Sequence, residues 1–428
     1  MLKEKARNFK IIFNKFWSKK IFKFAFFIHF FYFIFGLILT LIFFRQFNDF
    51  LVYHNVGRIF LEDIKNLYDP SNYLWPYRYF PLSALLFVPF SLMPFELAFI
   101  MFNVLNLVIN FFNCLFIYKI IGIITQNENV IKKRIFYLSL YLIALPHAFN
   151  YTMGQTNPLV SLFLLSALYF FLKSNEFKWN LLGGLLVGLS LNIKPITIFV
   201  IPFLITFSIT SKSKINKKEL KHTFSRLLGA FIMILLNAPL LLAIPELLNG
   251  FLEINFVGTE TLIVNNSFSI TKLIINSLSM LNIETNLLLD LQILILIIIL
   301  VLIGGTGFLI FMIRKKEKNS ILYGFILGIV IMLLVYFDSW DLHLVILIPL
   351  IIISIIYIED LPNENNQYTF IQNISKKSLY FFIFIDLPIF GLIYILKDVF
   401  PYNFIPTIFL LLLFGSVGKF LLTKETHL

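Results

Sequence analysis

Long apolar runs separated by short polar breaks make up most of the chain. About 12 of these runs are predicted to be membrane-spanning helices, because a helix needs about 20 mostly apolar residues to cross a bilayer. They cover residues 21–44, 97–121, 135–151, 158–173, 180–193, 196–211, 224–245, 287–313, 320–337, 342–358, 378–396 and 404–422, and several are shorter than a full crossing. The pattern predicts an all-α polytopic membrane protein, a single integral membrane domain over residues 1–428.

The first long polar break, residues 45–81, is predicted to be an external loop that contains an amphipathic helix. Apolar residues recur in it at spacings of three and four, at Tyr53, Val56, Phe60, Ile64 and Leu67. This spacing puts them on one helical face, so the helix is predicted to lie on the bilayer rather than cross it. The next apolar run, residues 82–93, is short and bounded by prolines, which predicts a re-entrant segment.

Composition supports the membrane assignment, since 59% of the residues are hydrophobic and only 14% are charged. A soluble core of this size cannot bury so much apolar surface. The first run, residues 21–44, exceeds the apolar core of about 7 to 15 residues found in signal peptides, so it is kept as a span. The single cysteine, Cys114, excludes an intramolecular disulfide.

The net charge of +12 is explained by where the basic residues lie, not by nucleic acid binding. Lysines and arginines gather in the tail 1–20 and in the loops 212–226 and 314–318, which are therefore predicted to be cytoplasmic. The loop 246–286 is acidic and is predicted to lie outside. The polar stretch 359–377 is predicted to be a further cytoplasmic loop.

Asp49 stands at the start of the predicted amphipathic helix, where a carboxylate has two uses. As an N-cap or a dipole partner it would stabilise the helix by about 0.5 to 2 kcal/mol. As a general base it would sit at the water–membrane boundary beside a low-dielectric cavity, which suits proton transfer. The sequence leaves both roles open.

Arg78 lies between two tyrosines just before the apolar run that begins at Leu82. Interfacial tyrosines usually belong to the aromatic belt of a membrane protein. Arg78 is a fixed cation at the predicted outer surface, and its guanidinium suits a two-pronged contact with a phosphate group. The alternative is that it balances nearby acidic residues.

Lys194 follows residues 181–193, an apolar run with no other charge. An ionisable residue at this depth indicates function, because its desolvation is costly. The alternative is that its flexible side chain reaches the membrane interface. In the turn 154–157, Gln155 and Asn157 would hydrogen-bond a sugar or satisfy the backbone of the turn.

A short polar cluster, residues 338–343, separates two strongly apolar runs. Asp338, Asp341 and His343 are weak evidence for a metal site, and helix capping by the aspartates is favoured. His343 would donate a hydrogen bond to a phosphate oxygen, and Trp340 offers its ring to a sugar or an isoprenoid. The sequence contains no serine-hydrolase, zincin or P-loop motif, and neither a metal nor another cofactor is expected.

Six short motifs follow one another along the chain. They are Asp49 near Tyr53, Tyr77-Arg78-Tyr79-Phe80-Pro81, Gly154-Gln155-Thr156-Asn157, Lys194-Pro195, Asn266-Ser267 and Ser339-Trp340-Asp341-Leu342-His343. Their order, between about Ala25 and Ile358, resembles glycosyltransferase family 87, membrane enzymes of the GT-C superfamily typified by polyprenyl-phosphate-mannose-dependent mannosyltransferases. One position departs from the family, which often has Ser-Trp-x-His-His, because Leu342 replaces the first histidine. This departure bears on the contacts to the donor phosphate and on the identity of the donor.

The resemblance implies a GT-C fold that transfers a hexose, most often mannose, on the extracytoplasmic face of the cell membrane, with inversion. The implied partners are a polyprenyl-phosphate sugar donor, a lipid or glycan acceptor and membrane lipids. Asp49 matches the family's general base and His343 a histidine near the donor phosphate, which Arg78 and Lys194 would also hold. The sugar or the acceptor would contact Tyr53, Tyr79, Gln155, Asn157 and Trp340.

Two other classes of protein stay open. A secondary transporter or lipid flippase would place ionisable residues near the bilayer midplane and show symmetry between its halves. In this chain the polar interruptions gather at one predicted face, without clear symmetry between the halves. A membrane scaffold without chemistry is the third class.

Overall fold

The computed structural model describes residues 11–209, 217–257, 267–281, 283, 285–314, 319–361, 366–385 and 404–423. These residues fold into a bundle of helices, and no strand occurs among them. After helical residues 11–17, the α-helices are α1 (Lys20–Leu39), α2 (Asp49–Glu62), α3 (Phe95–Ile124), α4 (Glu128–Leu142), α5 (Pro146–Met153), α6 (Asn157–Lys173), α7 (Phe177–Ile193), α8 (Lys217–Leu235), α9 (Ala238–Ala243), α10 (Pro245–Leu252), α11 (Ile270–Ser279), α12 (Thr285–Ile299), α13 (Gly305–Met312), α14 (Ser320–Val335), α15 (Leu344–Asp360), α16 (Asn366–Ile383) and α17 (Ile405–Leu422).

The protein is an all-α polytopic membrane protein, as the sequence predicts. In the described part of the chain, six helical stretches are long and apolar enough to cross a membrane. They are Lys20–Phe44, Phe95–Ile124, Lys217–Ala243, Leu291–Met312, Asp341–Asp360 and Ile405–Leu422. Four further apolar helices are shorter: Asn157–Lys173, Phe177–Ile193, Pro195–Leu204 and Ser320–Val335. The count of 12 spans is not confirmed.

Helices α14 and α15 form the centre of the bundle. Residues 321–335 and 344–358 are all buried, on every side of both helices. A helix that is apolar on all sides is typical of a position surrounded by other helices. These two helices carry the turn 336–343 between them, so the packed core fixes the position of that turn.

Helices α7 and α8 pack closely because glycines line their contact. A Cβ added at Gly184 would overlap the main-chain oxygen of Arg226, and one at Gly188 would lie 2.6 Å from the oxygen of Ala230. Gly183 meets the ring of Phe171 on α6 instead. The absence of side chains at these positions therefore allows the helices to approach closely.

The predicted span 135–151 is interrupted, because Pro146 cannot continue a helix: its ring clashes with the carbonyl of the fourth residue before it. Helix α4 accordingly ends at Leu142 and α5 begins at Pro146. The carbonyls freed by this break are satisfied from α1, where His29 Nδ1 lies 2.9 Å from the oxygen of Leu142. Backbone groups at membrane depth need such internal partners.

Two other predicted segments differ from the structure. The span 196–211 is instead a 3₁₀ helix, Pro195–Leu204, followed by residues 205–208 without regular secondary structure. Ten residues at a rise of about 2.0 Å fall short of a hydrocarbon core about 30 Å thick. The predicted loop 359–377 is largely α16, and residues 386–396 of the predicted span 378–396 lie outside the described residues.

The polar break 45–81 contains the helix that the periodicity predicts, as α2. Its inward face is apolar, with Val52, Tyr53 and Val56 buried. The helix ends at Glu62; of the last two predicted positions, Ile64 begins a 3₁₀ turn, Ile64–Asn66, and Leu67 follows that turn. The apolar run after this break forms a 3₁₀ helix, Pro81–Leu86, and one α-turn, Val88–Ser91, not a continuous span.

Candidate active site

A cavity of about 390 Å³ opens at one end of the bundle, between α2 and the turn 336–343. It is lined by Asp49, Val52, Tyr53, Trp75, Pro76, Tyr77, Arg78, Tyr79, Met153, Gln155, Lys194, Pro195, Ile196, Asn255, Tyr336, Phe337, Asp338, Trp340, Leu342 and His343. Its volume is in the usual range for a small-molecule site. Of the nine side chains proposed from the sequence as site residues, all but Asn157 line it.

Asp49 is the first residue of α2 but does not cap it. The cap is Asn48, whose side-chain oxygen accepts a hydrogen bond from the main-chain N–H of Leu51 at 2.9 Å. The Asn48 amide also donates to the carbonyl of Arg45 at 2.9 Å. The N-cap role open to Asp49 in the sequence thus belongs to its neighbour, and the Asp49 carboxylate is part of the cavity wall.

Gln155 holds the Asp49 carboxylate in place, because its Nε2 donates a hydrogen bond to Asp49 Oδ2. The turn before Gln155 requires Gly154, which has φ +63° and lies so close to Phe50 that a Cβ would be 2.5 Å from that residue's Cβ. The main-chain oxygen of Gln155 accepts from the amide of Asn106 at 3.1 Å. Both ends of the Gln155 contact are therefore anchored in packed helices.

Two tyrosines extend this hydrogen-bond chain across the cavity wall. The hydroxyl of Tyr53 lies 2.7 Å from that of Tyr79 and donates to Oε1 of Gln155 at 3.4 Å. Burial raises the pKa of both tyrosines, so both stay protonated. This row of hydrogen bonds polarises the amide that donates to the carboxylate, but the tyrosines add no charge of their own.

Lys194 follows the last residue of α7 and precedes the 3₁₀ helix that begins with Pro195. Its side chain is only 4% exposed. Its Nζ lies 3.1 Å from Nε2 of His343, which stands at the start of α15. Two segments 149 residues apart in the chain thus meet at one wall of the cavity.

Lys194 and His343 together suit an anion. Nδ1 of His343 accepts a hydrogen bond from the main-chain N–H of Trp340 at 3.2 Å, so the neutral ring carries its proton on Nε2. The Lys194 ammonium also only donates. Two facing donors are stabilised when an acceptor such as a phosphate oxygen takes a hydrogen bond from each.

Asp49 and Lys194 carry opposite charges, and each partly offsets the effect of burial on the pKa of the other. Burial raises the pKa of Asp49 to about 6, and the positive charge of Lys194 limits this rise. Burial lowers the pKa of Lys194 to about 8, against the attraction of Asp49 and Asp338. Near neutral pH the carboxylate is therefore mostly ionised while Lys194 stays mostly protonated, and Asp49 has the pKa expected of a general base.

Arg78 and Trp340 also line the cavity, and both contact residues of the turn 336–343. Nη1 of Arg78 donates to the hydroxyl of Tyr336 at 3.3 Å, and its guanidinium carbon lies 5.8 Å from the ring centre of Phe337. The indole N–H of Trp340 donates to Asp338 Oδ1. Asp338 thus orients the ring of Trp340, a structural contact that the sequence does not indicate.

Asn157 lies behind the cavity wall and is fully buried. Its amide donates to Oδ1 of Asn150 at 2.9 Å and to the main-chain oxygen of Leu342 at 3.1 Å. The amide of Asn150 donates to the same oxygen. These two asparagines hold the turn that presents His343, and Asn157 itself does not line the cavity.

Ser267 supports the same turn from the other side, because its hydroxyl oxygen accepts the main-chain N–H of Ser339 at 3.1 Å. Its motif neighbour Asn266 lies outside the described residues, as does most of the sequence around it, residues 258–266. In the described part of the chain, no group of three or more histidine, cysteine or acidic side chains comes together as metal ligands would.

Several lining residues were not identified from the sequence. Tyr336 and Phe337 stand at the end of the apolar run 320–337, and that position is the signal that would have found them, whereas Trp75 lies within the polar break 45–81. Met153 and Asn255 carry no such signal. Met153 is the last residue of α5, and Asn255 belongs to the π-helical turn Glu253–Val257 that follows α10, so both reach the cavity through the packing of these helical segments.

The family model of glycosyltransferase family 87 matches residues 77–336. The match includes Arg78, Gln155 and Lys194, and it is narrower than the range over which the sequence motifs resemble the family. Asp49 and His343 lie just outside it, one before and one after. No curated protein matches the chain.

Proposed function

Because the chain belongs to glycosyltransferase family 87, we propose that it moves a hexose, mannose in particular, from a polyprenyl-phosphate donor to a hydroxyl of a lipid or glycan acceptor. In this proposal the cavity faces the extracytoplasmic side of the cell membrane and the N-terminus is cytoplasmic. One observation carries the proposal: the same cavity holds a carboxylate suited to a base and, across from it, facing N–H donors suited to a phosphate.

The proposed reaction is a single displacement. Asp49 takes the proton of the acceptor hydroxyl, whose oxygen attacks the anomeric carbon of the sugar. The bond from that carbon to the phosphate oxygen breaks, and the polyprenyl phosphate leaves with the electron pair. Direct attack inverts the anomeric configuration. Holding both reactants in one cavity supplies the proximity that such a transfer needs.

Lys194, His343 and Arg78 are proposed to stabilise the leaving phosphate. Nζ of Lys194 and Nε2 of His343 face each other across 3.1 Å, so one phosphate oxygen placed beside both would accept from both. Arg78 lines the same cavity with a donor fork that fits two phosphate oxygens. Leu342, which replaces a family histidine, also lines the cavity, so this chain holds the phosphate with one imidazole fewer.

The remaining cavity residues are proposed to select the sugar and the acceptor. Trp340 offers its ring to a sugar face or to the first isoprene units. Tyr53 and Tyr79 present hydroxyls that reach the substrate as well as each other. Gln155 is proposed to align Asp49 in addition to its sugar contact, since its amide donates a hydrogen bond to that carboxylate.

The proposed donor class is tested by supplying purified wild-type protein with labelled donors and a mixture of lipid and oligosaccharide acceptors. We expect transfer from polyprenyl-phosphate mannose with release of polyprenyl phosphate, a lower rate from polyprenyl-phosphate glucose, and none from a nucleoside-diphosphate sugar. Transfer from the nucleotide sugar alone would contradict the lipid-linked donor while leaving glycosyl transfer intact. Movement of intact donor across a vesicle membrane without transfer would favour a flippase.

The raised pKa of Asp49 predicts an acid limit to the reaction. A base works only when it is ionised, so kcat/KM should fall as pH drops through about 6, the pKa that burial gives this carboxyl. An ordinary aspartate, with a pKa of about 3.9, would keep the reaction active well below that pH. The measurement is kcat/KM against pH with a fixed donor and acceptor. An acid limb near pH 4 would contradict the assignment of Asp49.

A further inference from the structure

A second polar cluster lies at the opposite end of the bundle from the cavity, between α7 and α8. Asn180 stands near the start of α7, and Lys194 follows the end of that helix. At a rise of about 1.5 Å per residue, the two are separated by about 20 Å along the helix axis. Arg226, predicted from the sequence to be a loop cation, is instead buried in this cluster on α8.

One asparagine joins the two basic side chains of the cluster. Oδ1 of Asn180 accepts a hydrogen bond from Nε of Arg226 at 2.7 Å, and its Nδ2 lies 3.4 Å from Nδ1 of His222. An amide nitrogen only donates, so Nδ1 accepts and the neutral imidazole carries its proton on Nε2. His222 and Arg226 are four residues apart on α8, which puts them on one face of that helix.

The donors of this cluster are not matched by acceptors. His222 is 8% exposed, yet its Nε2 has no hydrogen-bond partner among the described residues. Arg226 is 5% exposed, and of its three guanidinium nitrogens only Nε donates a hydrogen bond within the described part of the chain. The Phe171 ring packs against the guanidinium, whose carbon lies 4.3 Å from the ring centre. Such donors call for an acceptor from outside the chain.

The charge around the cluster is positive. Lys218 and Lys221 act on His222, and the guanidinium of Arg314 acts on that of Arg226. No ion pair within 4.0 Å joins Arg226 or His222 to a carboxylate in the described ranges. Glu219 is the acidic side chain whose charge reaches His222. The environment therefore favours an anion with several acceptor oxygens.

We propose that Arg226 and His222, aligned by Asn180, bind one phosphate group at this end of the bundle, and that the phosphate belongs to an anionic phospholipid. A planar guanidinium and an adjacent imidazole N–H match the oxygens of a phosphate ester. The cluster lies within the first turns of a candidate membrane span, where phospholipid headgroups are the nearest phosphates. Basic pockets between membrane helices are known to bind such headgroups.

The test uses purified full-length protein exchanged into a neutral detergent and mixed with phosphatidylglycerol, phosphatidylcholine or sodium phosphate. Native mass spectrometry counts bound lipid, and thermal unfolding gives a second readout for all three additions. We expect wild-type protein to retain phosphatidylglycerol in preference to phosphatidylcholine. Arg226→Gln should weaken this binding by about ten-fold or more, the loss expected for a charge-assisted contact.

Arg58→Gln is the matched control, because Arg58 is exposed on α2 and lies outside both clusters. His222→Phe keeps a ring but removes the Nε2 donor, so it tests the site if Arg226→Gln does not fold. Equal stabilisation by sodium phosphate, lost in both variants, would keep the phosphate site and assign it a soluble phosphate. Undiminished binding of phosphatidylglycerol to both variants would overturn the proposal.

Discussion

Asp49→Asn is expected to lower the rate of sugar transfer by about 10²- to 10⁴-fold, the contribution of a general base. Asparagine has the same shape and can still accept the hydrogen bond from Gln155, so the cavity wall should persist. It cannot take the proton of the acceptor hydroxyl. The effect should therefore fall on kcat, measured with saturating donor and acceptor, while the amount of folded protein in the membrane stays the same.

Glu62→Gln is the control for this variant, since Glu62 is an exposed acid on the same helix and lies outside the cavity. It should transfer sugar at the wild-type rate. Asp338→Asn provides a further comparison, because Asp338 is a second carboxylate in the cavity wall. Full activity of Asp49→Asn together with loss in Asp338→Asn would reassign the base to Asp338.

Lys194→Gln is expected to reduce kcat by about 10²- to 10³-fold, the usual loss when a group that stabilises developing charge is removed. The departing phosphate would lose the Lys194 ammonium and keep only the facing N–H of His343 as a donor at this wall. The same substitution should alter Asp49. The charge of Lys194 now limits the rise in the pKa of Asp49, so its removal should shift the acid limb of the pH profile to higher pH.

Two comparisons separate this electrostatic role from a structural one. Lys194→Arg keeps the charge and should leave the acid limb near its wild-type pH, even if the altered shape lowers the rate. Lys178→Gln removes an exposed lysine near the other end of α7, where its partner is Glu176, and should change neither quantity. An unchanged acid limb in Lys194→Gln would show that Lys194 does not act on the base.

The sequence was sufficient for the membrane class, the family and the charged side chains Asp49, Arg78, Lys194 and His343 of the cavity wall. Asp49, Lys194 and His343 interrupt or border apolar runs, and burying a charge at such positions is costly unless other groups compensate. Because of that cost, the sequence alone identifies these residues as candidates for a functional site. The amphipathic helix α2 was equally visible, because its apolar face repeats with the period of a helix.

What the sequence did not predict depends on contacts between distant segments. Nothing local indicates that Gln155 donates to Asp49, a residue 106 positions earlier, or that Asn157 supports the backbone of Leu342. Arg226 was predicted to belong to a polar loop because lysines precede it, yet it packs between helices. Its partner Asn180 belongs to another helix, and that pairing is a property of the tertiary packing.

The distribution of the cavity wall along the chain has a consequence for biogenesis. Asp49 is made early during synthesis, whereas His343 is made 149 residues after Lys194. Until the last wall segment is translated and α14 and α15 have been inserted, the cavity lacks the wall that carries His343. Under the proposed function, the nascent protein therefore stays inert during insertion, and a ribosome that stalls before the turn 336–343 leaves a membrane fragment without a complete site.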